Sequence, residues 1–137
     1  MSIGIGARAN LIYEDENTVI FEYGSYNLND PEYRNESRIC DGRITIRRDC
    51  FVEPEVHEKM KKMPSGKKKL IVKRVPIPVH YEEMLNDGRI VVDNSSNCWS
   101  TFDDNLNVDV MACRLLYYIF QKYQEDGRIP EEINYSV

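Results

Sequence analysis

NVDVMACRLLYYIFQKYQED, residues 107–126, is the longest apolar segment of the chain, and its reading decides the fold. Between Val110 and Phe120 the only charged residue is Arg114. At about 100° per residue, Asn107, Arg114, Gln121 and Glu125 fall on one narrow polar strip, with Val108, Ala112, Leu115, Leu116, Ile119 and Tyr123 opposite it. The pattern predicts a core helix that starts around Asn107 and Asp109 and stops at Gly127, which suits the left-handed position after a helix, with Pro130 just beyond. A helix with so wide an apolar face requires cover on more than one side, most simply a sheet beneath it and loops along its flanks.

The upstream chain supplies that sheet. Residues 10–13 and 18–23 are β-rich runs around the acidic loop 14–17, which reads as a hairpin. Residues 24–35 are turn-rich and polar and predict a surface loop displaying Tyr26 and Tyr33. Residues 36–39 and 43–48 suggest a second hairpin turning at Asp41 and Gly42, with Ile44 and Ile46 inward and Arg43, Thr45 and Arg47 outward. Pro54 suits the first turn of a short helix over 54–63, with Val52, Val56, Met60 and Met63 as its stripe and Glu55 to Lys59 and Glu58 to Lys62 as i,i+4 pairs. Residues 69–75 predict a central or near-central strand, residues 81–86 a helical turn and residues 89–93 a last strand.

These elements predict one α+β domain over residues 1–137. An antiparallel sheet of about five or six strands packs against the long C-terminal helix, with one or two short connecting helices. Strands precede the dominant helix instead of alternating with it, which disfavours a doubly wound parallel sheet. A chain of 137 residues buries roughly two-thirds of its unfolded surface in a single core. The hydrophobic fraction of 42% and charged fraction of 30% argue against disorder. The segment MSIGIGARAN has no charged n-region leading into an apolar run, and no stretch approaches a membrane span of roughly 20 apolar residues, so the expected setting is cytoplasmic. Cys40, Cys50, Cys98 and Cys113 are scattered without disulfide-framework or CxxC spacing and are expected as free thiols.

The net charge of −5 hides a segregation. Residues 43–74 hold 11 basic and 4 acidic side chains, while the flanking segments are both acidic. The tetrapeptide Asp-Gly-Arg-Ile recurs from Asp41, Asp87 and Asp126. Unequal spacing makes it a recurring turn and not an internal repeat.

Chemical motifs are sparse. His57 and His80 are isolated, and a Cys50 and His57 pair has nothing local to activate it. No HExxH, CxxC or HxH spacing is present, and the acids Asp103, Asp104 and Asp109 suit helix capping better than a cation site. Gly4 and Gly6 make a bare GxG, and SGKKK over 65–69 lacks the upstream glycine of a phosphate loop. The expected sets of catalytic residues, metal ligands and cofactors are empty.

Two surfaces remain. The first is acidic and aromatic: Tyr26, Asp30, Glu32, Tyr33 and Glu36, with Trp99, Asp103 and Asp104. It predicts a small acidic protein-binding domain, an inhibitor or immunity-type protein that neutralises a protein partner, a basic one by charge. The second is the basic segment, where Arg43, Arg47, Arg48, Lys67, Lys68 and Lys73 would contact nucleic acid if their strands lie together. This is the alternative reading, with nucleic acid the less expected partner, and an enzyme assembled from distant residues such as Cys50, His57 and Asp104 ranks last.

Overall fold

The computed structural model describes residues 4–102 and 107–136. Among the described residues, seven strands and two α-helices follow one another in the order β1 (Ile5–Glu14), β2 (Thr18–Asn27), β3 (Gly42–Arg47), β4 (Glu55–Lys62), β5 (Lys68–Val75), α1 (Tyr81–Asn86), β6 (Ile90–Asp93), α2 (Val110–Asp126) and β7 (Glu132–Ser136), with a 3-10 turn over Arg48–Cys50. Five of the strands make one sheet in the order β6, β3, β2, β1, β7, with every neighbour antiparallel. β4 and β5 form a separate two-stranded ribbon. The architecture is α+β, with the sheet under one long C-terminal helix.

The helix forms where its polar strip requires. Asp109 is its N-cap, accepting a hydrogen bond from the Met111 amide at 2.9 Å, and Gly127 closes it in the left-handed region at φ 75°. Asn107 and Val108 therefore precede the helix instead of starting it, with Asn107 itself at φ 50°. Ala112, Leu115, Leu116 and Ile119 are fully buried against Ala7, Ala9, Val19, Phe21, Ile44 and Ile46 of the sheet. Each large apolar side chain so buried contributes about 1.5 to 3 kcal/mol.

The first hairpin is present and longer than its sequence signal. β2 runs on through Gly24 to Asn27, so residues 24–27, expected in a loop, continue the strand. Gly24 permits this because a Cβ there would lie 2.0 Å from the Ile39 carbonyl oxygen, where residues 35–40 cross the outer face of the sheet. The second expected hairpin does not form: residues 36–39 are not a strand, and β3 pairs with β2 and β6. Gly42 is extended and makes room for the Tyr23 ring, 2.3 Å from where its Cβ would stand. The inward Ile44 and Ile46 and outward Arg43 and Arg47 are as their alternation requires.

Two further expectations are overturned together. The helix expected over 54–63 is replaced by β4, and the strand expected over 69–75 as central or near-central falls in β5, the exposed partner of β4. Val56 and Met60 share a face at a spacing of four in either conformation, so the apolar stripe does not separate helix from strand. Pairing with the apolar run Leu70, Ile71 and Val72 decides it, and tertiary context overrides the weak helix propensity of the segment. Pro64, Ser65 and Gly66 form a three-residue hairpin loop, with Gly66 left-handed at φ 84° and its amide donating to the Met63 carbonyl at 2.9 Å. β7, at the sheet edge against β1, is a strand the sequence pattern did not disclose.

Candidate functional site

The ribbon leaves the body as an arm. Its root is held by Gln124, a buried residue of α2 whose amide accepts from the Ile77 N–H at 2.7 Å and donates to the Ile77 carbonyl at 3.0 Å. Arg74 Nε donates to the Gln124 carbonyl at 2.9 Å, a favourable cation at the negative end of the helix, and Arg74 also meets Glu53 at 3.7 Å. Beyond this root every arm residue except Val75 is exposed.

Strand alternation sorts the arm into two faces. Val56, Glu58, Met60 and Lys62 lie opposite Arg74, Val72, Leu70 and Lys68, while Glu55, His57, Lys59 and Lys61 lie opposite Val75, Lys73, Ile71 and Lys69. The first face carries an exposed apolar row, the second a field of lysines. At the tip both faces are basic, because Lys62 opposes Lys68 and Lys61 opposes Lys69. Like charges directly opposite destabilise a strand pair. Among the described residues none of the seven lysines of the arm makes an ion pair. Residues 55–75 hold eight basic and two acidic residues, a net of +6 that leaves −11 on the rest of a chain totalling −5.

The basic residues named from sequence divide accordingly. Lys67, Lys68 and Lys73 belong to the arm or its turn. Arg43, Arg47 and Arg48 do not join them: β3 lies between β2 and β6, Arg47 pairs with Asp49 at 3.4 Å, and Arg48 pairs with Glu14 at 3.1 Å. β3 and β5 belong to different sheets, so the condition for one shared cationic face, that their strands pair in one sheet, is not met.

The described acidic aromatic residues are each held by local contacts. Tyr26 is half-buried beneath the Arg38 guanidinium, 3.7 Å from its ring centre, and lines a shallow cavity of about 270 Å³ with Arg8 and Cys40. Asp30 accepts from the Glu32 amide at 2.9 Å within a tight local turn, and its carbonyl accepts from the amide of half-buried Tyr33. Glu36 meets Arg34 at 3.8 Å. Trp99 is half-buried against the core. Asp103 and Asp104 lie outside the described residues.

Cys50 is buried in the core, and burial raises its thiol pKa, whereas His57 stands on the exposed arm 3.2 Å from Glu55. The two do not make a nucleophile and base. Among the described residues no cluster of His, Cys, Asp and Glu is arranged to hold a metal ion, and no helix is long and apolar enough to cross a membrane.

Sequence reasoning missed the buried polar core of the body. The Asp109 carboxylate accepts from the Tyr23 hydroxyl at 3.0 Å, and that hydroxyl accepts from the Ser95 amide at 2.8 Å. Ser95 Oγ in turn donates to Asp41 at 2.7 Å. Burial raises the Asp109 carboxyl pKa despite these donors and, with Asp109 beside it, pushes the Cys98 thiol up to about 11. The Ser96 and Ser95 donors hold Asp41 below its ordinary value. Tyr23, Ser95, Asp41 and Asp109 are each hydrogen-bonded within this network, which pins the loop over 94–98 to the start of α2. Its role is structural.

An α+β body with a rooted, cationic β-arm is the class of protein that these features define. Comparison of the chain with protein-family models, curated proteins and solved structures gave no match.

Proposed function

We propose that this protein is a binding module whose contact element is the arm and whose partner presents negative charge. The observation that carries the reading is the tip: six lysines and no acid within residues 59–69, set in like-charge pairs across the strands. An uncovered two-stranded ribbon is marginal in water, and the tip register adds repulsion that a bound anion would relieve.

Charge distribution supplies a direct test. At neutral pH a chain of net −5 is repelled as a whole by a cation exchanger. Retention of the intact protein on phosphocellulose at low salt, and its loss in Lys61→Gln/Lys69→Gln, is the expected result. Passage of the native chain in the void would overturn the proposal.

A second reading has its own observation. Tyr117 and Tyr118 are exposed on α2, and Tyr117 borders an apolar groove of about 510 Å³ with Pro76, Pro78 and Tyr81. Exposed aromatics on an acidic body support a small inhibitor of the immunity type that neutralises a basic protein. Co-purification with such a partner, abolished by Tyr117→Ser, is its expected outcome, and a partner indifferent to that substitution would argue against it.

A further inference from the structure

We infer that the anion taken by the arm is the phosphate backbone of a duplex nucleic acid, with the ribbon seated in a groove between two phosphate walls. This rests on the arm as the contact element and goes beyond it in naming the partner.

The distribution of charge around the tip selects the partner. A flat acidic protein surface meets one face of a ribbon, and the opposite face would remain unpaired. Here the tip has lysines on both: Lys62 and Lys68 on one, Lys61 and Lys69 on the other, with Lys59 and Lys73 extending the second and Lys67 beside the turn. A groove surrounds what enters it with phosphates on two sides. The major groove of B-form DNA, about 12 Å wide, admits a two-stranded ribbon, whereas that of an A-form RNA duplex is too narrow.

Size agrees with this. The two strands of a ribbon stand about 4.8 Å apart, well within a groove about 12 Å wide. Met63 and Pro64 at the turn place apolar side chains at the leading end, where they can meet thymine methyl groups without adding a desolvated charge.

The acidic body then sets the pose. With −11 on the remainder of the chain, phosphates repel the body and attract the arm. The arm therefore enters tip first, and the five-stranded sheet stays clear of the duplex. Arg43, which lies on that sheet, makes no contact.

Fluorescence anisotropy with the full-length protein and a labelled duplex of about 30 base pairs tests the inference across a salt series. If the six tip lysines all engage, affinity falls about a thousandfold between about 50 and about 200 mM salt. Lys61→Gln/Lys69→Gln reduces the slope of log affinity against log salt by about two, and Arg43→Gln leaves it unchanged. Both lysines are exposed, so an unaltered melting temperature confirms that the double variant is folded.

Four results would overturn the inference. Tighter binding of a single strand than of the duplex removes the groove. Equal effects of the Arg43 and lysine substitutions remove the arm-first pose. Retention of the protein by polyglutamate with no duplex binding leaves the anion-binding arm standing and eliminates nucleic acid, whereas failure to bind either polyanion eliminates both readings.

Discussion

Phe21 on β2 is 0% exposed, whereas Leu70 and Val72 on β5 are 51% and 54% exposed, although both strands are rich in β-branched and large apolar residues. The difference lies in what stands above them. β2 sits at the centre of five strands beneath α2, so its inward residues meet Leu115, Leu116 and Ile119. β5 has one strand partner and no layer over either face of its outer part. A strand sequence prescribes the pleat and its alternation, but burial depends on whether a second layer arrives. The body uses its apolar residues for stability, and the arm presents its own to solvent.

That contrast breaks most directly at α2. Ile119→Ala removes a fully buried side chain and is expected to cost about 2 to 5 kcal/mol, read from the shift of a urea midpoint. A loss below about 1 kcal/mol would show that the helix is not the cover on which the sheet depends.

The buried polar network gives the next effect. Tyr23→Phe leaves the Asp109 carboxylate and the Ser95 amide each short of a partner and is expected to cost about 1 to 3 kcal/mol. The same site has a pH signature. Burial holds the Asp109 carboxyl above its ordinary value of 3.8, so as pH rises the unfolded chain gives up this proton before the folded chain does. The folded state holds more protons in that window, and its stability falls with rising pH. Thermal melts at a series of pH values should show the native chain losing stability relative to Asp109→Asn above the ordinary carboxylate range. A constant difference between the two would place the carboxyl in contact with solvent.

The smallest effect belongs to the arm. Leu70→Ala is expected to change global stability by no more than about 0.5 kcal/mol, because its side chain is exposed on an uncovered ribbon. A loss matching that of Ile119→Ala would erase the distinction between arm and body.

Much of the body was legible in sequence because its signals are redundant. In α2 the polar strip, the Asp109 cap and Gly127 agree with one another, and in β3 the inward Ile44 and Ile46 leave one choice of face. The arm lacked such agreement. Val56 and Met60 fit a helical stripe and a strand face equally, and their partners Arg74 and Leu70 lie 18 and 10 residues away in sequence. Asp41 and Gly42 carried a turn signal, yet Gly42 is required for the close approach of Tyr23 from another strand. Of the candidate site, the basic character of 43–74 was visible, but the separation of Lys67, Lys68 and Lys73 from Arg43, Arg47 and Arg48 was not.

The sequence by itself determined an α+β domain, a long amphipathic C-terminal helix and a cationic middle segment, since composition, periodicity and capping are local properties. Tertiary structure alone decided that β4 and β5 pair with each other and stand outside the sheet, rooted by Gln124 and Arg74, with lysine facing lysine. Such register arises from contacts between residues distant in the chain, and that is why the linear pattern of charges and apolar residues did not disclose an arm.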